Sequence, residues 1–469
     1  MSMTNNDTIC ALATAAGQAA IAIVRVSGQN AFPIVERLFI PRNKTHRVSA
    51  QATHTVQFGD VYDAESKTWI DEVLLTVFRS PHSYTGEDAV EISCHGSTFI
   101  VQQLLSLLIR HGCRMAAPGE FTQRAFLNGK LDLSQAEAVA DLIASESAAA
   151  HRLAMQQLKG DFSRAFNELR DQLLQFTSLI ELELDFSEED VEFANRNQLK
   201  TIIQQMDTKL SELIDSFRVG NAIKKGIPVA IIGETNVGKS TLLNRLLHED
   251  RALVSDIHGT TRDSIEEMMI LEGVTFRFID TAGIRDTNDQ IEHMGIERTF
   301  HKIEQANVLL IVLDATQEIK TLNAFIQKIS EKSTNKKSIF ILNKADKIDA
   351  DKKHSLQQLT FPTDALHLFL SAKKGDGIET LEKFIVEASQ IPHFGNNEII
   401  LSNARHQEAL QQTQTALRRA LEGLNQNHSG EFISQDIREA IFYLGTITGG
   451  AITPDEVLGA IFSKFCIGK

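Results

Sequence analysis

Lys225-Gly-Ile-Pro-Val-Ala-Ile-Ile-Gly-Glu-Thr-Asn-Val-Gly-Lys-Ser-Thr241 decides how the rest of this 469-residue chain is read. An apolar run over 229–232 breaks at Gly233 and crosses Glu234, Thr235, Asn236 and Val237. It resumes at Gly238, Lys239, Ser240 and Thr241, ahead of a helical pattern of Leu242, Leu243 and Leu246. This predicts a strand, a loop and a helix start. Gly233 and Gly238 are expected to take backbone angles that other residues avoid, turning successive N–H groups toward a phosphate. The helix N-terminus behind them adds its positive dipole end. Lys239 is expected to reach the outer phosphates, and the Ser240 hydroxyl to ligate magnesium. A glycine-broken helix cap is the plainer alternative.

Downstream, apolar runs over 276–279, 308–313, 338–342 and 366–370 alternate with helical patterns. Continuous apolar strands of this kind belong to a mostly parallel sheet covered on both faces, whose ligands bind at the carboxyl ends of the strands. Three motifs stand at such ends: Asp280-Thr281-Ala282-Gly283, Asn343-Lys344-Ala345-Asp346 and Ser371-Ala372-Lys373. Asp280 can hold magnesium through water, and the Gly283 N–H can sense a terminal phosphate. Asp346 offers two acceptor oxygens to the two ring N–H donors of guanine, a pairing adenine cannot make. Ser371, Ala372 and Lys373 suit the guanine carbonyl through backbone N–H groups. The expected ligand is therefore GTP or GDP. Between the first helix and Asp280 lies the polar loop Ser255-Asp256-Ile257-His258-Gly259-Thr260-Thr261, where Thr261 is the choice to complete the magnesium shell and His258 is given no role of its own. Thr260 and Arg262 are read either as site residues or as plain loop polarity.

Ile284 follows Gly283, where small GTPases of the Ras type place a glutamine that orients the attacking water. Isoleucine cannot hydrogen-bond water, so hydrolysis is either very slow or served by a cation or a carboxylate from elsewhere. Glu292 is a candidate, with a solvated helix residue as the alternative.

Hydrophobic content of 42% and charged content of 23% describe a globular protein, and 469 residues exceed one ordinary core. No long apolar run or basic leader suggests export or membrane insertion, so a cytoplasmic location is expected. A net charge of −14 argues against broad nucleic-acid binding. Cys10, Cys94, Cys113 and Cys466 form no CxxC pair. Residues 8–118 are strand-rich with helical stretches, a compact α+β domain. No proline lies between Pro118 and Pro228 or between Pro392 and Pro454, and both windows are helical in pattern. Phe162, Phe166, Leu169, Leu173, Phe176 and Ile180 repeat at helical spacing, as do Ile202, Met206, Leu210, Leu213 and Phe217, and then Leu410, Leu417, Leu421 and Leu424. One helical domain interrupted by the nucleotide domain is the economical arrangement, two unrelated bundles the alternative. The acidic stretch 181–192 reads as a solvated face rather than a metal cluster. Thr453-Pro454-Asp455-Glu456 is a capping box. It opens a last helix leading to Cys466, which is either an inert terminal thiol or part of a mobile tail reaching another site.

Ile23-Val-Arg-Val-Ser-Gly28, Tyr84-Thr-Gly-Glu-Asp-Ala-Val-Glu91, Pro118-Gly-Glu-Phe-Thr-Gln-Arg-Ala-Phe126, Asn128-Gly-Lys-Leu-Asp-Leu133, Gly259-Thr-Thr-Arg-Asp263 and Cys466-Ile-Gly-Lys469 together resemble the tRNA-modification GTPase family MnmE, also called TrmE. The resemblance covers essentially the whole chain. It implies a folate-binding and dimerisation domain over 1–119, helical segments over 120–224 and 385–469, and a potassium-stimulated GTPase domain over 225–384. It further implies that Arg25, Glu91, Lys130 and Lys469 contact a 5-formyl or 5,10-methylene tetrahydrofolate. Asn236, Ser255, Ile257 and Thr260 would hold potassium, Ser240 and Thr261 magnesium, and Glu292, with Lys239 and Thr260, would serve catalysis. A potassium ion would supply the positive charge that Ile284 leaves missing. Such proteins form homodimers and, with a FAD-dependent MnmG-like partner in a heterotetramer, modify carbon 5 of wobble uridine in certain tRNAs. The competing reading is a non-catalytic GTP-dependent switch or ribosome-assembly factor.

Overall fold

The computed structural model describes residues 7–42, 47–185, 196–249, 267–279, 303–333, 336–363, 365–389, 399–450, 455–463 and 465–468. They fall into two compact units, one comprising 1–143, 155–207 and 409–469, the other 144–154 and 208–408.

The first unit opens with strands β1 (Thr8–Leu12), β2 (Ile21–Ser27), β3 (Phe39–Pro41), β4 (Thr55–Asp63), β5 (Thr68–Phe78), β6 (Ala89–His95) and β7 (Cys113–Met115). They form one sheet in the order β3-β4-β5-β6-β2-β1-β7. It is antiparallel except where β1 meets β7. Ala22, Val24 and Val26 of β2 point into a core with Leu75, Ile92 and the helices Ala31–Glu36 and Thr98–Arg110. The period of two along a strand then sends Arg25 to the opposite face. β1 is buried on both faces, with Cys10 in that core and Ile9 and Ala11 packed on Phe121.

The helical part of this unit follows the apolar spacing. Phe162, Phe166, Leu169, Leu173, Phe176 and Ile180 line the buried side of the helix Asp161–Asp185. It packs against the helix Gly430–Thr448, whose Ile433, Ile437, Ala440 and Leu444 are buried. Arg418 bridges to Asp207 at 2.8 Å, so helices from both sides of the nucleotide segment meet in one bundle. In the helix Arg196–Lys225 the buried stripe runs through Ile203 rather than the expected Ile202, and Phe217 is only half-buried. Leu199, Ile203, Met206, Leu210 and Leu213 are buried at steps of four, three, four and three, so the stripe keeps the expected Met206, Leu210 and Leu213 and only its two ends differ.

The second unit holds a six-stranded sheet ordered β13-β12-β11-β8-β10-β9, from β8 (Ile227–Ile232), β9 (Glu267–Leu271), β10 (Val274–Phe278), β11 (Val308–Asp314), β12 (Lys337–Asn343) and β13 (Leu366–Phe369). Every pairing is parallel except β9 with β10. The continuous apolar strands serve two cores at once. Val229, Ile231, Leu310, Val312, Ile339 and Ile341 pack under the helices Lys239–Glu249 and Ile378–Ser389. Ala230, Ile232, Leu309, Ile311, Phe340 and Leu342 pack under Ile319–Lys332 and Ala350–Leu356.

Candidate functional site: a phosphate loop laced to a base loop

The loop between β8 and the helix Lys239–Glu249 is held by steric necessity. A β-carbon on Gly233 would lie 2.4 Å from the Val312 carbonyl oxygen, and one on Gly238 would lie 2.4 Å from Asn343 Nδ2. Gly238 has φ +101, as expected, whereas the second left-handed residue of the loop is Asn236 at φ +60, not Gly233. Gly233 is required for close approach to β11 rather than for its backbone angle. Leu242 N–H donates to the Gly238 carbonyl and starts the helix, while Lys239 Nζ arches back to the carbonyls of Gly233 at 2.8 Å and Glu234 at 2.6 Å. Ser240 and Thr241 open the same helix, and Val237 is buried beneath the loop.

Asn343 ends β12 and is buried. Its Nδ2 donates to the Val237 carbonyl at 2.8 Å, and its Oδ1 accepts the Ala372 N–H at 3.0 Å. One side chain thus ties the phosphate loop to the loop after β13. Lys344, in left-handed backbone at φ +63, donates from Nζ to the Asn236 carbonyl at 2.8 Å and to Asp314 Oδ2 at 2.6 Å. Ala345 N–H donates to the Leu370 carbonyl. Asp346 is poised by Ser371, whose hydroxyl donates to Oδ1 at 2.7 Å and holds the carboxyl below its usual range. It is therefore ionised and acts as an acceptor only. Lys373 is exposed, its carbonyl taking a bond from Arg245 of the phosphate-loop helix at 3.2 Å. The sequence reading passed over Asp314, Thr316 and Arg245. Asp314 ends β11, with Thr316 just beyond it, as Asn343 ends β12, and that strand-end placement is the signal that marks them.

Of the remaining expected residues, Ser255, Asp256, Ile257, His258, Gly259, Thr260, Thr261, Asp280, Thr281, Ala282, Gly283, Ile284, Glu292 and Lys469 lie outside the described residues, as do Thr453 and Pro454 of the capping box.

A second cluster sits on the outer face of the first unit's sheet. Register places Arg25 directly across from Glu91, and Arg25 donates from Nε at 3.0 Å and Nη2 at 2.8 Å to Glu91 Oε1. Its guanidinium lies 5.3 Å from the Tyr84 ring and 5.5 Å from the Phe121 ring. Burial pushes the Tyr84 hydroxyl upward, so it stays neutral, bonded to Thr122 at 2.8 Å. The chain end arrives here too. Gly468, at φ +99, is seated where a β-carbon would be 2.1 Å from the Leu12 carbonyl, and its own carbonyl accepts from Arg25 Nη1 at 3.4 Å. Cys466 is exposed, whereas Cys10, Cys94 and Cys113 are buried; burial raises the Cys94 thiol to about 11. Lys130 is exposed and donates to the Pro81 carbonyl at 3.0 Å.

A mostly parallel sheet whose phosphate loop is bonded to an Asn-Lys-x-Asp turn defines a P-loop GTPase module, here within a larger chain. The models of the MnmE helical domain and of the GTP-binding protein TrmE N-terminus match residues 133–466 and 8–130. The tRNA modification GTPase MnmE of Bacteroides thetaiotaomicron is 54% identical over 99% of this chain and 100% of its own length. Those of Parabacteroides distasonis, at 54% over 98% and 100%, and Christiangramia forsetii, at 51% over 99% of each chain, are similar. This chain belongs to the tRNA modification GTPase MnmE family. Among solved structures, an Aquifex aeolicus Era variant bound to GDP and aluminium fluoride is 28% identical over 40% of this chain and 66% of its own, with a TM-score of 0.27, too partial to bear on function. Among the described residues no helix is long and apolar enough to cross a membrane.

Proposed function

We propose that this protein is a cytoplasmic GTPase that hydrolyses GTP in the course of modifying carbon 5 of wobble uridine in certain tRNAs. The observation that carries the reading is the lacing of Val237, Asn343 and Ala372, which joins a phosphate cradle to a guanine-reading loop within a chain matched end to end by its relatives. The cradle fits a polyphosphate: Gly233 and Gly238 leave no room for side chains, and the helix dipole and Lys239 supply positive charge. Asp346 then reads the base. Ser240 and Thr261 would hold magnesium, and Asn236 with the loop 255–261 would hold a potassium ion. When bound, potassium supplies positive charge near the transferring phosphoryl group, which the side chain of Ile284 cannot help stabilise. Glu292 is assigned to positioning the hydrolytic water, with Lys239 and Thr260 beside it.

We further assign the Arg25 and Glu91 pair, Lys130 and Lys469 to a tetrahydrofolate derivative. Glu91 is oriented by Arg25 yet keeps a quarter of its side chain exposed, which suits an acceptor for the N–H edge of a pterin. The Gly468 carbonyl bonded to Arg25 brings the chain end to the same site, and Cys466, two residues before it, is exposed. The division 1–119, 120–224, 225–384 and 385–469, the homodimer and the heterotetramer with a FAD-dependent MnmG-like protein complete the proposal.

Mass analysis of wobble uridine in tRNA from cells lacking the protein is the deciding experiment, and unaltered uridine would refute the assignment. In vitro, GTP turnover should be faster in potassium than in sodium. Asp346→Asn should lose guanine selectivity.

A further inference from the structure

One carboxylate beside the nucleotide site belongs to none of the motifs above. Asp314 ends β11 and stands opposite Asn343 in the parallel register with β12. Its Oδ2 accepts from Lys344 Nζ at 2.6 Å, while its Oδ1 accepts from the Thr316 N–H at 3.0 Å and the Thr316 hydroxyl at 2.7 Å. The same Lys344 ammonium donates to the Asn236 carbonyl at 2.8 Å. Both ends of this bridge, Asn236 and Lys344, have left-handed backbone, a region asparagine tolerates but a lysine keeps only when its surroundings hold it there. Asp314 is 13% exposed and Lys344 26%, so water only partly screens the pair. Burial works against the Asp314 carboxylate, yet the Lys344 and Thr316 bonds outweigh it and hold its carboxyl below the usual range.

We propose that Asp314 is a positioning residue of the nucleotide site. Acting through Lys344, it fixes the Asn236 carbonyl and with it the left-handed turn that Asn236 contributes to the phosphate loop and to the proposed potassium site. The proposal rests on the guanine-nucleotide and potassium reading given above. With Asp314 in place the ammonium is aimed before a ligand arrives, so the loop does not have to be ordered at binding. With the carboxylate neutralised, Lys344 is free to turn to solvent and the Asn236 carbonyl loses its donor.

The test uses the full-length protein as wild type, Asp314→Asn, Lys344→Met and the double variant, and follows release of a fluorescent GDP in potassium and in sodium. Asp314→Asn should speed release roughly tenfold, the scale of losing one charge-assisted bond. It should also raise the potassium concentration needed to slow release by half. In the Lys344→Met background the same change should add less than about twofold, because its effect passes through that ammonium. Thr316→Val, which removes one donor to Asp314 and leaves the ion pair, should give a smaller shift in the same direction and serves if Asp314→Asn does not fold. Unchanged release in a folded Asp314→Asn, unchanged release in Thr316→Val where that variant has to serve, or a full tenfold effect in the Lys344→Met background overturns the proposal. Equal release from the wild type in the two salts defeats the potassium reading instead, and Asp314 is then judged on its release rate alone. No GDP binding by the wild type defeats both.

Discussion

At the scale of single residues, the phosphate loop depends on atoms that are missing. The β-carbon that would stand 2.4 Å from Asn343 Nδ2 must displace the side chain that bonds both Val237 and Ala372. Gly238→Ala should therefore cost about 1–3 kcal/mol of stability, through left-handed strain and the lost lacing. It should weaken GDP binding at least about a hundredfold, read by calorimetry. Gly459 offers the contrast. It lies in the helix Asp455–Phe462, and a β-carbon there meets nothing within 4 Å. Gly459→Ala should raise stability by roughly 0.5–1 kcal/mol, since only helix propensity changes. A drop in melting temperature for Gly459→Ala would contradict the open space described there.

At the scale of elements, the helix Glu120–Leu127 is clamped to the sheet by charge. Glu120, 2% exposed, accepts from Arg114 at 2.7 and 3.0 Å, from Arg124 at 3.0 Å and from the Ala117 N–H at 2.8 Å. Arg124 also reaches Asp7 Oδ1 at 2.6 Å and Glu87 at 3.2 Å. Burial alone would raise the carboxyls of Glu120 and Asp7, but the arginine bonds more than offset it, and both lie below their ordinary values of 4.5 and 3.8. A carboxyl depressed in the folded state stabilises the fold above its unfolded value, and that contribution is lost as pH falls through the folded one. Urea midpoints measured from pH 6 to about pH 3 should fall steeply below about pH 4.5, and Glu120→Gln should flatten that fall. Glu120→Ala should cost about 2–3 kcal/mol at neutral pH, because Arg124 is left buried with one partner fewer.

The same scale shows how much of the fold the sequence disclosed. The four-and-three spacing from Phe162 to Ile180 was legible because one helix face meets one core. β1 was not, since Ile9 and Cys10 enter cores on opposite faces and leave no alternation. β7, with only Cys113, Arg114 and Met115, is too short to carry a pattern, and its pairing with β1 supplies what its sequence lacks.

For the whole molecule, the two compact units give the ligand a selective effect on unfolding. GDP at about a hundred times its dissociation constant should add roughly 2.7 kcal/mol to the unit that contains the phosphate loop. Scanning calorimetry should show that component move up in temperature while the component carrying Arg25 and the Gly468 seat stays in place. Truncation after Phe462 should do the reverse. It removes Phe465 from its cluster with Leu133 and Phe462, and the Gly468 carbonyl from Arg25. The Arg25 unit should lose about 1–3 kcal/mol, and GDP affinity should remain.

By itself the sequence determined the phosphate loop, the Asn-Lys-x-Asp and Ser-Ala-Lys turns, the buried parallel strands and the helical arms. Each of these is written in a local period or in a residue type that only one backbone or one chemistry can use. Tertiary structure alone decided that Gly233 is needed for its closeness to Val312, that Asn343 bonds the two loops to each other, and that Asp314 aims Lys344. It also decided that Gly468 lies against Leu12, and so within reach of Arg25. Those are contacts between residues distant in the chain, set by strand register and close packing, and no local pattern of side chains encodes them.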